Sequence, residues 1–243
     1  MTAGIASRRA MTLALALCCG TAPGIARAAN PARVADPARA ADAPAESCFA
    51  RAAATRNGSL GAPTRAMPTP DGGAVIFLRS GPRDTALHLY RYEIAGKALT
   101  ELAKPDTAGE HLSVEEKARR ERARMTLTGI TDFALSRNGR VLLLSEGGRL
   151  GTMDPTPGAD GTARWLAGSD WIGPRLSPDG RFVAAVRNHD LHVVELATGK
   201  DTAVTAGGSD TLTHGVAEFA AAEELERPDG TWWSPDGETL LFE

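Results

Sequence analysis

The sequence predicts an all-β fold built from short strands, because a turn motif recurs and an apolar run follows each copy. The motif reads TPDGG from Thr69, SRNG from Ser136, and SPDG from both Ser177 and Ser234. Proline presets the first corner of such a turn, Asp or Asn caps its own backbone, and glycine takes the left-handed position. The run VLLL from Val141 is nearly continuous, which is typical of a strand covered on both faces.

The spacing of the turns predicts how the strands are arranged. After the third turn, a second strand from Leu191 to Leu196 leads into a further hairpin turn. Ser136 and Ser177 lie about 40 residues apart, and repeats of this length with several short strands are typical of β-propeller blades. We therefore predict a partial β-propeller of about three to four blades over residues 61–243, with two short helical insertions.

The first helical insertion lies in the long interval between the first two turns. It reads SVEEKARRERAR, residues 113–124. Ser113 and Glu116 have the spacing of a capping box, which predicts a helix from about Val114 to Arg124. The basic residues alternate with glutamates, so a solvated helix face is favoured over a nucleic-acid patch.

The second insertion is an alanine-rich segment between Gly215 and Pro228. We expect a short helix there whose apolar stripe includes Val216 and Phe219. Glu223 and Glu224 would then lie on its last turn, where the helix dipole disfavours negative charge and the two carboxylates repel each other. Two interpretations remain open from the residues alone, a solvated helix tip or a site that binds a cation such as a primary ammonium.

The N-terminus has the features of an export signal over residues 1–28. Arg8 and Arg9 precede a short apolar run, and Ala26-Arg27-Ala28 fits a cleavage site. The sequence SRRAMTL also fits a loose twin-arginine pattern. The mature chain is expected in the periplasm or secreted, without a membrane segment, and residues 29–60 are expected to form a disordered leader because alanine, proline and arginine dominate them.

Composition excludes several other classes of function. The formal net charge is -3, which does not favour nucleic-acid binding. Removal of the signal would leave Cys48 as the remaining cysteine, so no internal disulfide is expected. His189 and His192 could be taken as a metal pair, but a polar hairpin is favoured because these positions share no strand face. We expect neither a metal nor a cofactor.

The acidic segment resembles a known signature. GSDTLTHGVAEFAAAEELERPDGTWWSPDG, residues 208–237, is similar to the signature region of bacterial dipeptidyl peptidase IV, a prolyl-oligopeptidase-type serine peptidase. In that family a Glu-Glu pair on a short helix holds the free N-terminal ammonium of the peptide, and Glu223 and Glu224 match it. Residues 113–139 resemble a second family segment near which an arginine contacts the substrate carbonyl, and Arg122 and Arg124 both fit.

The resemblance covers about residues 61–243 and implies the N-terminal propeller portion of an exported dipeptidyl peptidase. No G-x-S-x-G nucleophile elbow occurs in the sequence, so we expect the catalytic α/β-hydrolase domain to be absent, the chain to be a fragment, and its own peptidase activity to be nil. The expected partner is a peptide N-terminus, and the resemblance allows a homodimer of a full-length member. The alternative is a non-catalytic periplasmic propeller that binds other proteins.

Overall fold

Short antiparallel strands dominate the computed structural model of the chain, as the recurring turns predict. The structure describes residues 46–106, 112, 114–122 and 124–243. These residues belong to one compact unit, Glu46–Glu243. The predicted signal peptide, the leader as far as residue 45 and Ser113 of the predicted capping box lie outside the described residues.

The helices are α1 (Cys48–Ala54), α2 (Val114–Arg122) and α3 (Phe219–Glu223). The strands are β1 (Thr64–Pro68), β2 (Ala74–Ser80), β3 (Ala86–Glu93), β4 (Ala98–Ala103), β5 (Thr128–Leu135), β6 (Leu142–Glu146), β7 (Arg149–Met153), β8 (Arg164–Trp165), β9 (Ile172–Leu176), β10 (Phe182–Arg187), β11 (Asp190–Glu195), β12 (Asp201–Ala203), β13 (Thr231–Trp233) and β14 (Leu240–Phe242).

The strands form successive antiparallel meanders, which we call blades 1 to 4. Blade 1 contains β1 to β4, blade 2 contains β5 to β8, and blade 3 contains β9 to β12. The hairpin of β13 and β14 forms blade 4. A short parallel pairing of Ala86 with Thr128 joins blades 1 and 2 into one eight-stranded sheet. The predicted all-β partial propeller is confirmed, with α2 before blade 2 and α3 before blade 4.

The turn before β10 shows why the motif recurs. The Ser177 hydroxyl donates to Asp179 Oδ1 at 2.6 Å and accepts from the Phe182 amide at 2.9 Å. Asp179 Oδ1 also accepts from the Arg181 amide at 3.0 Å. Gly180 has a φ of 76°, the left-handed conformation that favours glycine. The turns at Thr69, Ser136 and Ser234 repeat the hydroxyl-to-Asp or hydroxyl-to-Asn hydrogen bond.

The core lies between neighbouring blades. Leu142 and Leu144 of β6 pack toward blade 1, whereas Leu143 packs toward blade 3. In the same way, Val183 of β10 faces blade 2 and Val186 faces blade 4. Successive side chains of a strand point to opposite faces, so each of these apolar strands is buried on both sides. This arrangement explains why their sequences lack polar alternation.

The N-terminal part of the described chain differs from the expectation. We predicted a disordered leader over residues 29–60, whereas the structure places helix α1 and hydrogen-bonded turns within residues 46–60. The Ser47 hydroxyl caps α1 by accepting from the Ala50 amide at 3.1 Å. Arg56 donates to Thr126 Oγ1 at 2.5 Å, and Arg83 pairs with Glu46. Contacts with distant residues therefore order this segment.

Helix α2 matches its prediction closely, since it spans Val114–Arg122 against an expected end at Arg124. Within the described residues, none of the helices has the length and apolar character needed to cross a bilayer.

Candidate functional site

A cavity of about 190 Å³ lies where the first strands of the blades meet. It is lined by β1, β5 and β9, and by the residues that lead into β13. The first strands of blades 1 to 3 therefore face the same central space. Residues from blades 1 to 3, from helix α2 and from the segment before blade 4 line it, among them Arg65, Arg120, Thr131, Asp132, Trp171, Arg175, Gly215, Val216 and Asp229.

Charged side chains of both signs line this cavity. Arg65 of β1 pairs with Asp132 of β5 at 2.6 Å. Arg175 of β9 pairs with Asp229, which lies just before β13. These ion pairs connect blade 1 to blade 2, and blade 3 to the segment that leads into blade 4. They show that the central face of the propeller is polar and charged.

Arg120 of helix α2 also lines the cavity and is only 6% exposed. Its guanidinium lies 3.5 Å from Thr131 Oγ1 of β5. Arg124 is exposed and has a φ of 51° just beyond the helix. Arg122 is the last residue of α2, and its side chain lies outside what the structure describes. We did not predict Arg120, because a run of arginines gives no signal of which one is buried.

The acidic pair lies on a projecting segment, residues 215–230, which we call the α3 arm. Its two ends meet in a narrow neck, where Val216 pairs with Asp229 in an isolated antiparallel bridge. The Thr231 hydroxyl donates to the Gly215 carbonyl at 3.0 Å. A Cβ atom on Gly230 would lie 2.4 Å from the Val216 carbonyl carbon, so only glycine permits this approach. Both ends of the arm line the cavity.

Helix α3 is shorter than we predicted. It spans Phe219–Glu223, and Glu218 caps it by accepting from the Ala221 amide at 3.0 Å. Val216 belongs to the neck instead of the helix, so the predicted apolar stripe through Val216 and Phe219 is wrong. Phe219 is 68% exposed, whereas Ala221 is buried. The difference arises because backbone pairing with Asp229 takes Val216 out of helical conformation.

The structure places the acids at the predicted end of this helix. Glu223 is the last residue of α3, and Glu224 follows as its C-cap. Both are exposed. Among the described residues that line the cavity, neither glutamate is found, although both ends of their arm are. The Arg227 amide donates to the Ala221 carbonyl at 2.9 Å, which closes the chain after the helix.

Three histidines of the described residues lie next to aspartates. His192 Nδ1 lies 2.9 Å from Asp201 Oδ1, and His189 Nε2 lies 3.3 Å from Asp210. His214 Nδ1 lies 3.0 Å from Asp190 Oδ1. A hydrogen bond from the Thr205 hydroxyl, the Gly208 amide and the contact with His214 lower the pKa of Asp190. No metal-binding cluster occurs in the part of the chain that the structure describes.

Residues 161–243 match the family described as "Dipeptidyl peptidase IV (DPP IV) N-terminal region". This stretch includes blade 3, the α3 arm and blade 4. The resemblance that the motifs predicted is therefore confirmed for this part of the chain.

Similar proteins include two fungal enzymes. A "Probable dipeptidyl-aminopeptidase B" of Penicillium rubens is 34% identical over 67 residues, which is 27% of this chain and 7% of the fungal protein. The protein of the same name from Emericella nidulans is 31% identical over 67 residues, again 27% of this chain and 7% of its own length. The matched stretch is thus a small part of these relatives.

Among solved structures, dipeptidyl peptidase 4 of Porphyromonas gingivalis matches 72% of this chain and 24% of its own chain. The sequence identity is 19% and the TM-score is 0.43.

Proposed function

We propose that this chain is the N-terminal propeller portion of an exported dipeptidyl peptidase, and that Glu223 and Glu224 bind the N-terminal ammonium of a peptide. One observation carries the proposal. Two adjacent glutamates stand at the C-terminal end of α3, on an arm whose neck lines the central cavity. The matched family region includes this arm.

The chemistry of the pair suits an ammonium group. A primary ammonium offers three N–H donors and one positive charge, and two carboxylates offer several acceptor oxygens. The carbonyl end of a helix adds partial negative charge in the same place. The two acids raise the free energy of this helix end, and a bound cation would therefore offset that cost. An anchored N-terminus would also fix how far the peptide extends into the site. In a complete enzyme, this would restrict cleavage to the release of dipeptides.

Three arginines are candidates for contact with the substrate carbonyl. Arg122 and Arg124 fit the sequence motif, and Arg120 is added by its position in the cavity. Its place in the cavity lining favours Arg120, because a guanidinium next to the central space can donate hydrogen bonds to a peptide there. Separate substitution of Arg120, Arg122 and Arg124 by lysine would identify the residue, since lysine keeps the charge but loses the forked geometry.

The binding role can be tested with the purified chain and the dipeptide Ala-Pro in isothermal titration. N-acetyl-Ala-Pro serves as the control ligand, because acetylation removes the ammonium. Charge-assisted hydrogen bonds are worth roughly 1.5–3 kcal/mol, so Glu223→Gln with Glu224→Gln should weaken Ala-Pro binding about tenfold or more. Glu226→Gln, on the same arm, is the matched control. Equal affinity for the free and acetylated dipeptides would contradict the proposal.

We also propose that the chain by itself does not hydrolyse peptides, since its sequence lacks the G-x-S-x-G motif. Incubation with Ala-Pro p-nitroanilide should release no p-nitroaniline above the buffer rate. Turnover that a serine-directed inhibitor abolishes would contradict this statement. Export would be tested separately, by locating the mature chain in cell fractions with and without Arg8 and Arg9.

A non-catalytic propeller that binds other proteins is the second candidate. The exposed apolar side chains of the arm favour it, since Phe219 and Leu225 are 68% and 71% exposed. Such a scaffold would bind its partner through these side chains and would not distinguish free from acetylated dipeptides. The titration above therefore separates the two functions.

A further inference from the structure

Glu243 contacts the α3 arm at both of its ends. The Gly215 amide donates to the Glu243 carbonyl at 2.5 Å, and the Glu243 amide donates to the Gly230 carbonyl at 3.1 Å. The backbone of Glu243 thus extends the pairing of β14 onto the two strands of the neck. These contacts bring its side chain close to helix α3.

The carboxylate of Glu243 then joins the two sides of the helix. Its Oε1 accepts from the Glu218 amide at 3.2 Å, and its Oε2 accepts from Arg227 Nη1 at 2.8 Å. Glu218 is the N-cap of α3, and Arg227 follows its last turn. The Glu243 carboxylate therefore contacts both the residue that precedes helix α3 and a residue that follows it.

The Arg227 side chain has further partners that fix its direction. Its Nη1 donates to the Asp229 carbonyl at 3.3 Å, and its guanidinium lies 5.5 Å from the ring centroid of Trp232. Because Arg227 pairs with Glu243, its charge is directed to the base of the arm.

The arm needs such contacts because it has little core of its own. Helix α3 has five residues, and Ala221 is its one buried residue. A helix this short is not stable without tertiary contacts. The direction of Glu223 and Glu224 therefore depends on how the arm is held at its base.

We propose that Glu243 is a positioning residue, which holds the α3 arm through Glu218 and Arg227 and so sets the orientation of the ammonium-binding pair. This inference rests on the proposed function. Glu243 itself does not contact the peptide in this account. Its loss should therefore loosen the arm and weaken amine binding while the blades remain intact.

The test uses the full chain and two measurements, hydrogen exchange of backbone amides and affinity for Ala-Pro. In Glu243→Ala, protection of the Ala222 and Glu224 amides should fall at least about fivefold, because local opening becomes easier. Protection of the Phe182 amide in blade 3 should not change. Affinity for Ala-Pro should fall about fivefold, with no change for N-acetyl-Ala-Pro.

Two further variants make the result specific. Glu243→Gln keeps an acceptor for the Glu218 amide but loses the charge that attracts Arg227, so its effects should lie between wild type and Glu243→Ala. Glu238→Ala removes an exposed acid from the same hairpin and should match wild type in both measurements. Unchanged exchange of the arm in Glu243→Ala would overturn the inference.

The outcomes also separate this inference from the proposed function. If Glu223→Gln with Glu224→Gln weakens Ala-Pro binding but Glu243→Ala does not, the positioning role is overturned and the ammonium site stands. If neither set of changes affects binding, the ammonium site is overturned, whatever the exchange data show.

Discussion

The blade turns and the α3 arm are both short connections before a strand, yet they are held in different ways. Each turn closes through its own residues, as when Asp179 and Ser177 accept from the amides of Arg181 and Phe182. The arm closes through residues that are distant in sequence, as when Val216 pairs with Asp229 and Glu243 contacts Glu218. Local hydrogen bonds shape the repeated part of the molecule, and tertiary contacts shape the part that carries the proposed site.

This difference predicts where substitutions will affect stability and where they will affect binding. The blades bury their apolar strands on both faces, so stability should be concentrated there. Beyond its neck, the arm buries little and carries acids at an unfavourable helix end, so helix α3 should contribute little to global stability. Residues selected for binding can be destabilising in such a place.

The largest effect should come from the blade core. Leu144 is fully buried between blades 1 and 2, and Leu144→Ala should lower the free energy of unfolding by about 3–5 kcal/mol through lost burial and a residual cavity. Leu225→Ala, on the exposed side of the arm, should change it by less than about 0.5 kcal/mol. Urea denaturation of both variants measures the contrast, and similar losses would contradict it.

The second-largest loss of stability is expected at the neck of the arm. Gly230→Ala places a Cβ atom within 2.4 Å of the Val216 carbonyl carbon, so the two ends of the arm must separate. We expect a loss of roughly 1–3 kcal/mol, as for other overpacked sites, together with loss of Ala-Pro binding. Gly96→Ala is the control, because a Cβ there meets nothing within 4 Å. Equal free energies of unfolding and equal Ala-Pro binding in the two variants would show that the neck tolerates a wider spacing.

The turns should show a modest, pH-dependent effect. The Ser177 hydroxyl, with the amide and side chain of Arg181, lowers the pKa of Asp179 to about 2. The folded pKa lies below the unfolded value of about 3.9, so this stabilisation is present above pH 4 and is lost as the pH falls toward 2. Asp179→Asn should reduce stability at pH 7 by on the order of 1 kcal/mol, with allowance for solvent screening, and flatten its pH dependence in this window.

The matching turn of blade 2 supplies the control for this experiment. Asn138 takes the place of the aspartate there and accepts the same hydroxyl and amide hydrogen bonds. Asn138→Asp should therefore introduce acid sensitivity between pH 4 and pH 2. Acid unfolding followed by circular dichroism measures both variants. An unchanged acid midpoint in both would contradict the assignment of this pH dependence to the turn aspartate.

The smallest effect on stability should come from the acid pair itself. Glu223→Gln with Glu224→Gln removes like charges from the C-terminal end of α3, where each charge costs roughly 0.3–1 kcal/mol. Both side chains are exposed, so the lower end of this range applies, and the free energy of unfolding should stay within about 1 kcal/mol of wild type. A loss above 2 kcal/mol would indicate that these acids serve the fold instead of a ligand.

The contrast between local and long-range contacts also explains which features the sequence could predict. The turns, the doubly buried strands and helix α2 follow from local patterns, and the structure confirms them. The neck of the arm, the burial of Arg120 and the contacts of Glu243 do not follow from local patterns, because residues far apart in the chain create them. Helix α3 was predicted too long for this reason, since an alanine-rich segment gives no sign that Val216 pairs with Asp229.

The most direct test of the account is a titration of the isotope-labelled chain with Ala-Pro, followed by amide chemical shifts. Binding of the ammonium by Glu223 and Glu224 predicts saturable shifts centred on the α3 arm, and no such shifts with N-acetyl-Ala-Pro. Shifts that are the same for both ligands, or that lie in the blades and leave the arm unaffected, would contradict it.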